Sequence, residues 1–178
     1  QGRAQGETLR ISGNGEGGSY TGELEGGTLS ARAGGAQLSC KYAPRHSPTL
    51  GAPPPPGATV LLPKSDGPAN LDAWQNQRWR KLEGGVMEVS GGDQRTTGQF
   101  GSCKLHLEFM TPYMPDKRGQ NRGNSGVYIQ DRYEVQVLDS FGLVSKDNDC
   151  AGIYKTAVPK ENACQPPLVW QPYDITFH

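Results

Sequence analysis

The chain is short of the features that mark membrane, nucleic-acid and small metal-binding proteins. No apolar run approaches the roughly 18 residues that a membrane-spanning helix needs. The 18 basic residues cancel the 18 acidic ones without clustering, so nothing favours nucleic acid or an anionic membrane surface. None of the four cysteines sits in a CxxC pair, which argues against a zinc ribbon or a thioredoxin-like site. Long helical periodicity is missing, and only 34% of residues are hydrophobic. There is neither an initiator Met nor a signal peptide at Gln1, so a processed leader or a fragment is expected.

What is abundant is punctuation. Gly 25 and Pro 14 make up more than a fifth of the 178 residues. Both weaken helix interiors and mark turns, which points to a β-dominated chain with many short strands. Residues 1–43 read as a small β-meander, with Leu9, Ile11, Tyr20, Leu24, Leu29 and Leu38 alternating between turns such as GNGEGG and GG. Alone it buries too little to be stable. Residues 44–57, PRHSPTLGAPPPPG, read as a linker, because four consecutive prolines favour stiff polyproline II. From 58 to 178 the expected strands are ATVLLP, VMEVS, CKLHLEF, NSGVYIQ, YEVQVLD and LVWQPYDITF. The pair split by Asp131-Arg132 is the clearest hairpin. Many short strands with turns between them predict an all-β antiparallel sandwich or jelly roll.

The cysteines allow two readings. Cys150 and Cys164 flank AGIYKTAVPKENA, where a disulfide would pin a loop and stabilise by about 3 kcal/mol. Cys40 and Cys103 would then join the N-terminal segment to the rest. An even count in a Gly-rich chain suits an oxidising compartment; four reduced thiols are the alternative.

Strand alternation sorts the polar residues. His106 and Glu108 share a face opposite Leu105, Leu107 and Phe109. Glu134 and Gln136 lie opposite Tyr133, Val135 and Val137, and Asn124 and Tyr128 lie opposite Val127 and Ile129. A half-solvated sheet would explain polar faces in general. This set of acid/base groups, amides and an aromatic is also what sugar recognition and proton transfer require. Trp79, Tyr113 and Trp170 could add stacking surfaces, although core or loop packing is the plainer role for each.

With these segments in view, GNSGVYIQDRYEVQVLDSFG and CAGIYKTAVPKENACQPPLVWQPYDITF closely resemble the 3-keto-disaccharide hydrolase domain family. LHLEFMTPYMPDKRGQNRGNSG fits the same pattern, and RHSPTLGAPPPPGATVLL is similar to the connector of planctomycete-type members. The resemblance covers about residues 45–178. It implies a concanavalin-like jelly roll akin to family 16 glycoside hydrolases, and export to an extracellular or periplasmic location. Those hydrolases carry Glu, Asp and Glu on one strand face; here Glu134, Gln136 and Asp139 fall at the bulged version of that spacing. Gln136 cannot ionise and Asp139 is shorter than Glu, so a retaining double displacement is not expected.

The resemblance instead implies cleavage of 3-keto-glycosides. A ketone at C3 acidifies the C2 proton; a base removes it and the C1 substituent departs, with water adding later if the outcome is hydrolysis. Glu134 or His106 is the expected base, with Asp139 as a further catalytic candidate. Asn124, Gln136, Arg122, Tyr128 and Glu108 are the expected sugar contacts, and a divalent metal held by carboxylates, His106 or amide oxygens could stabilise the enolate. The family continues with further strands beyond YDITF, where this chain stops. A jelly roll lacking its C-terminal strands, or a partner chain completing the sheet by strand addition, is therefore expected. A non-catalytic carbohydrate-binding module and an extracellular structural or assembly protein are the competing functions.

Overall fold

Gln130 and Asp131 both adopt left-handed backbone angles, with φ of 54° each. That conformation closes a tight turn, and Arg132 N–H donates to the Ile129 carbonyl at 3.1 Å across it. The turn sits one residue earlier than the sequence suggested. It joins the two strands that carry most of the candidate residues. The computed structural model describes residues 2–15, 18–43 and 45–178, with side chains for 6–14, 18–43 and 45–178. The apex of GNGEGG and Pro44 of the connector lie outside the described residues.

The chain divides into two compact units, Gln1–His46 and Ser47–His178. The first is a five-stranded antiparallel meander: β1 (Gly2–Gln5), β2 (Thr8–Gly15), β3 (Gly18–Glu25), β4 (Thr28–Ala33) and β5 (Ala36–Lys41). Its register aligns Leu9, Leu24, Leu29 and Cys40 in one cross-strand row and Ile11, Gly22, Ala31 and Leu38 in the next. Because side chains alternate, one face is apolar and the other carries Arg10, Ser12, Thr21, Glu23, Ser30 and Arg32. None of its described side chains is buried.

The second unit holds β6 (Arg80–Leu82), β7 (Val86–Glu88), β8 (Cys103–Phe109), β9 (Ser125–Ile129), β10 (Tyr133–Val137) and β11 (Gln171–Phe177). They pair antiparallel as β6–β7, β9–β10 and β8–β11. Among the described residues the only helical segments are two three-residue 3₁₀ turns. The fold is all-β, of the β-sandwich class. ATVLLP, expected as a strand, forms none; its Leu61 carbonyl instead accepts the Trp74 indole N–H at 2.9 Å. Trp79 likewise spends its indole N–H on Gly92, while Tyr113 is 61% exposed.

The core of this unit is Ala69, Leu71, Ile129, Val135, Val137, Leu138, Cys150 and Cys164. Val135 and Val137 point one way along β10, which forces Glu134 and Gln136 to the other side. Beyond β10, residues 152–154 pair in the same antiparallel sense, with Val135 opposite Ile153. Gln136 N–H donates to the Gly152 carbonyl and Tyr154 N–H to the Glu134 carbonyl, each at 2.9 Å.

All four cysteines are free in the structure, which forms no disulfide where Cys150–Cys164 and Cys40–Cys103 bridges were expected. Cys150 and Cys164 meet as a hydrogen-bonded pair rather than a covalent one, an interaction that draws the Cys150 thiol down to about 7 and pushes Cys164 up. Their sulfurs are also used locally. Cys150 lies 3.1 Å from the Tyr173 hydroxyl, and Cys164 3.4 Å from the Leu138 carbonyl. Cys40 is exposed on β5 and Cys103 half-buried at the start of β8.

Candidate active site

The β9–β10 register sets Tyr128 directly opposite Glu134. The pairing of Val135 with Ile153 places Tyr154 opposite Glu134 on the other side. Period-two alternation therefore gives one row, Tyr128–Glu134–Tyr154, across three neighbouring segments. The Tyr128 hydroxyl donates to Glu134 Oε2 at 2.7 Å. This bond, with desolvation and the Glu134 charge, pushes the Tyr128 phenol up to about 12: losing its proton would set two anions side by side. The other carboxylate oxygen, Oε1, lies over Gly126, where an added Cβ would collide with it. Glycine at 126 leaves room for the carboxylate to lie back along the sheet.

The next row down is Gly126, Gln136 and Gly152. Gln136 is 1% exposed. Its amide Nε2 donates to Gln120 Oε1 and to Asn124 Oδ1, both at 3.0 Å. Asn124 donates in turn to the Gln120 carbonyl at 2.9 Å. Gln136, expected as a sugar contact, is thus a buried post that holds Gln120 and the exposed Asn124 in place. Its own Oε1 has no hydrogen-bond donor among the described residues.

Asp139 does not join this row. β10 ends at Val137, and Asp139 is buried with Arg122 Nε 2.7 Å from its Oδ2. The contact is ionic without hydrogen-bond alignment, since Arg122 Nε and both Asp139 oxygens lack hydrogen-bond partners. Gly123 lies against both Asp139 and Thr111, so the pair closes the base of the loop before β9. Arg122 and Asp139 serve each other here, and Glu134 has a different partner.

His106 and Glu108 lie on a second polar face, that of β8–β11. Asp174 stands directly opposite His106 in the ladder. His106 Nδ1 lies 2.8 Å from Asp174 Oδ1, and its Nε2 lies 3.5 Å from Glu108 Oε1. Thr49 donates to Asp174 Oδ2 at 2.7 Å, and Gly51 N–H donates to Glu108. The segment 47–51, expected as part of a stiff spacer, is therefore strapped onto this face. The Asp174 hydrogen bond, opposed by desolvation and assisted by Glu108, holds the imidazole above its ordinary value. The same contact and the Thr49 bond hold Asp174 below the usual carboxylate range. Among the described residues no hydrogen bond or ion pair connects this cluster with Glu134.

The two faces are tied through their backs. Tyr173 of β11 donates its hydroxyl to the Gln136 carbonyl at 2.6 Å, accepts the Ala151 N–H at 2.8 Å, and packs on Phe109 with ring centroids 4.7 Å apart. Trp170, just before β11, remains 38% exposed. Among the described residues no group of three or more His, Cys, Asp or Glu side chains is placed to hold a metal ion.

Sequence reasoning missed Tyr154, Gln120, Asp174 and Thr49. Only the alternation in AGIY pointed to Tyr154, and it was masked by reading that stretch as a cystine loop.

Among curated proteins no relative matches. The crystal structure of a candidate glycosyl hydrolase from Parabacteroides distasonis ATCC 8503 is similar, with a TM-score of 0.56 and 28% identity over 73% of this chain and 65% of that one. The chain thus spans less than two thirds of that protein. No helix among the described residues is long and apolar enough to cross a membrane. Residues 57–178 match the model of the 3-keto-alpha-glucoside-1,2-lyase-like domain, and the chain belongs to that family.

Proposed function

We propose that this chain cleaves 3-keto-glycosides at the anomeric bond by elimination, with Glu134 as the base that removes the C2 proton. The observation that carries the reading is the row Tyr128–Glu134–Tyr154: a carboxylate between two phenols, with the exposed amide of Asn124 on the same face. Aromatic rings and amides are the usual means of holding a sugar. A fixed carboxylate with one oxygen free of donors among the described residues can accept a proton from carbon. Family membership and the glycosyl hydrolase likeness support a carbohydrate substrate; the 3-keto sugar and the elimination are the finer proposal.

Glu134 is preferred to His106 because of their partners. His106 is bracketed by two carboxylates and is held toward its charged form, in which it cannot accept a proton. Among the described residues the side-chain hydrogen-bond partner of Glu134 is a neutral donor, the Tyr128 hydroxyl. Asn124 and Gln120 would meet sugar hydroxyls, Gln136 positions both, and Arg122 with Asp139 shapes the loop that carries Asn124. The proposal extends to the chain's organisation: residues 1–43 as an N-terminal β-module, 44–57 as a connector, 58–178 as the catalytic domain, and export to the cell exterior or periplasm. Completion of the sheet by a further chain segment or a partner chain belongs to the same proposal.

Incubation with an aryl 3-keto-glucoside tests it. Wild type should release the aglycone together with an unsaturated keto sugar absorbing in the ultraviolet, and Glu134→Gln should release neither. A non-catalytic binding module is the competing reading; it predicts saturable binding of the sugar, equal in wild type and Glu134→Gln, with no aglycone from either.

A further inference from the structure

The segment that brings Tyr154 into the row beside Glu134 is irregular. Gln136 N–H donates to the Gly152 carbonyl, yet the donor to the Gln136 carbonyl is the Ala151 N–H, each bond at 2.9 Å. Two residues thus oppose one, and Ala151 holds the left-handed region at φ 66°. This is a G1-type β-bulge with alanine where glycine is usual. Gly152 turns its own N–H back to the Asp149 carbonyl, and a Cβ there would meet the Asp147 carbonyl oxygen at 2.7 Å.

The bulge sets which way Tyr154 points. Cys150 is buried. Strict alternation would send Tyr154, four residues on, to the same side as Cys150. The extra residue reverses the phase, so Ile153 stands opposite the core residue Val135 and Tyr154 takes the side of Glu134. A residue with a Cβ stays in the left-handed region only where its surroundings impose it. Here the Tyr173 hydroxyl bonds both sides of the bulge. It accepts the Ala151 N–H at 2.8 Å and donates to the Gln136 carbonyl at 2.6 Å, with Cys150 Sγ 3.1 Å away.

Resting on the 3-keto-glycoside reading above, we propose that Tyr154 is a ring on which the sugar lies and that Tyr173 is the positioning residue that keeps it there, by holding the bulge at Ala151–Gly152. The Tyr173 hydroxyl is spent on the backbone of β10 and of the bulge, and its ring packs on Phe109. It therefore acts on the sugar only through Tyr154.

The test is a double-mutant cycle on an aryl 3-keto-glucoside with the full chain, reading KM and kcat separately and the urea midpoint beside them. Tyr154→Ala should raise KM roughly 10-fold and change kcat by less than about 3-fold, the loss expected of one ring beneath a sugar. Tyr173→Phe keeps the ring against Phe109 and removes only the hydroxyl; it should raise KM about 5-fold with kcat again little changed. Ala151→Val leaves Tyr173 intact but sets a β-branched residue in the left-handed region, at an exposed position. It should raise KM in the same way, and it carries the test if Tyr173→Phe does not fold. Either change added to Tyr154→Ala should raise KM no further, because both act through a ring already gone. A purely structural role for Tyr173 predicts instead a lower midpoint and losses that multiply in the double variant. Multiplying losses, or folded variants whose KM stays at the wild-type value, would overturn the positioning role and leave the 3-keto-glycoside reading standing. A wild type that cleaves no 3-keto-glucoside would sink that reading and this one together.

Discussion

The β9–β10 and β8–β11 ladders each present a polar face, and they differ in what surrounds the ionisable group. Glu134 has a neutral phenol hydrogen-bonded to it, glycine at 126 beneath it and the buried Gln136 in the next row. His106 has two carboxylates, and these carboxylates also hold the backbone and hydroxyl of a neighbouring segment. The first arrangement leaves a carboxylate with spare capacity to take a proton. The second satisfies every charge and fastens a strap. Two faces of similar composition thus suit different work, and the partners decide which.

Removing the central group of each ladder breaks the comparison most directly. Glu134→Gln should lower kcat/KM on a 3-keto-glucoside by roughly 10³-fold, within the range for a general base. His106→Gln should lower it by less than about 5-fold. Equal losses in steady-state assays would erase the distinction between the faces. Next in size is the loop beneath the first ladder. Arg122→Met would leave the Asp139 carboxylate buried and unpaired, at a cost of about 3 kcal/mol, measurable as a lower urea midpoint. A smaller and more selective effect is expected at Gly126. Alanine there would collide with the flexible end of Glu134 and push the carboxylate aside. Activity should fall by about 10-fold with only a small drop in the unfolding midpoint, since the clash is with the Glu134 side chain from Cγ outward and not with backbone.

The smallest effect belongs to the strap. His106 is raised, so its contribution is full below its unfolded value of 6.5 and is lost as pH rises through its folded value. Asp174 is lowered, so its contribution is full above 3.8 and is lost as pH falls through its folded value. The strap should therefore hold best between those limits and loosen on the alkaline side. Protection of the Gly51 amide relative to its intrinsic, base-catalysed exchange should fall above neutrality, and Asp174→Asn should flatten that dependence. A profile unchanged by Asp174→Asn would show that His106 is not what the strap senses.

Much of the first ladder was legible in the sequence. Alternation in NSGVYI put Tyr128 on a polar face, and alternation in YEVQVL did the same for Glu134 and Gln136. The register was not legible, since a two-residue turn at Asp131-Arg132 would set Glu134 opposite Ile129, and the observed turn, which begins one residue earlier, brings it opposite Tyr128. Depth was not legible: alternation says which side Gln136 takes but not that Gln120 and Asn124 cover it. Asp139 looked like a third member of the face because a bulge was expected, whereas β10 ends at Val137 and the chain turns inward to meet Arg122. The second ladder was half legible. His106 and Glu108 are two apart on one strand, but Asp174 reaches them only through a pairing 68 residues away, and Thr49 lies in a stretch that prolines made look like a spacer. The cysteine spacing was informative about the proximity of Cys150 and Cys164, which the structure brings together as free thiols.

The central claim is that Glu134, and not His106, takes a proton from carbon. Exchange of the C2 proton of methyl 3-keto-glucoside in D2O, followed by NMR, tests it most directly. The account predicts protein-dependent loss of the C2 signal with wild type and His106→Gln, and none above background with Glu134→Gln. Exchange that survives Glu134→Gln and stops with His106→Gln would contradict it.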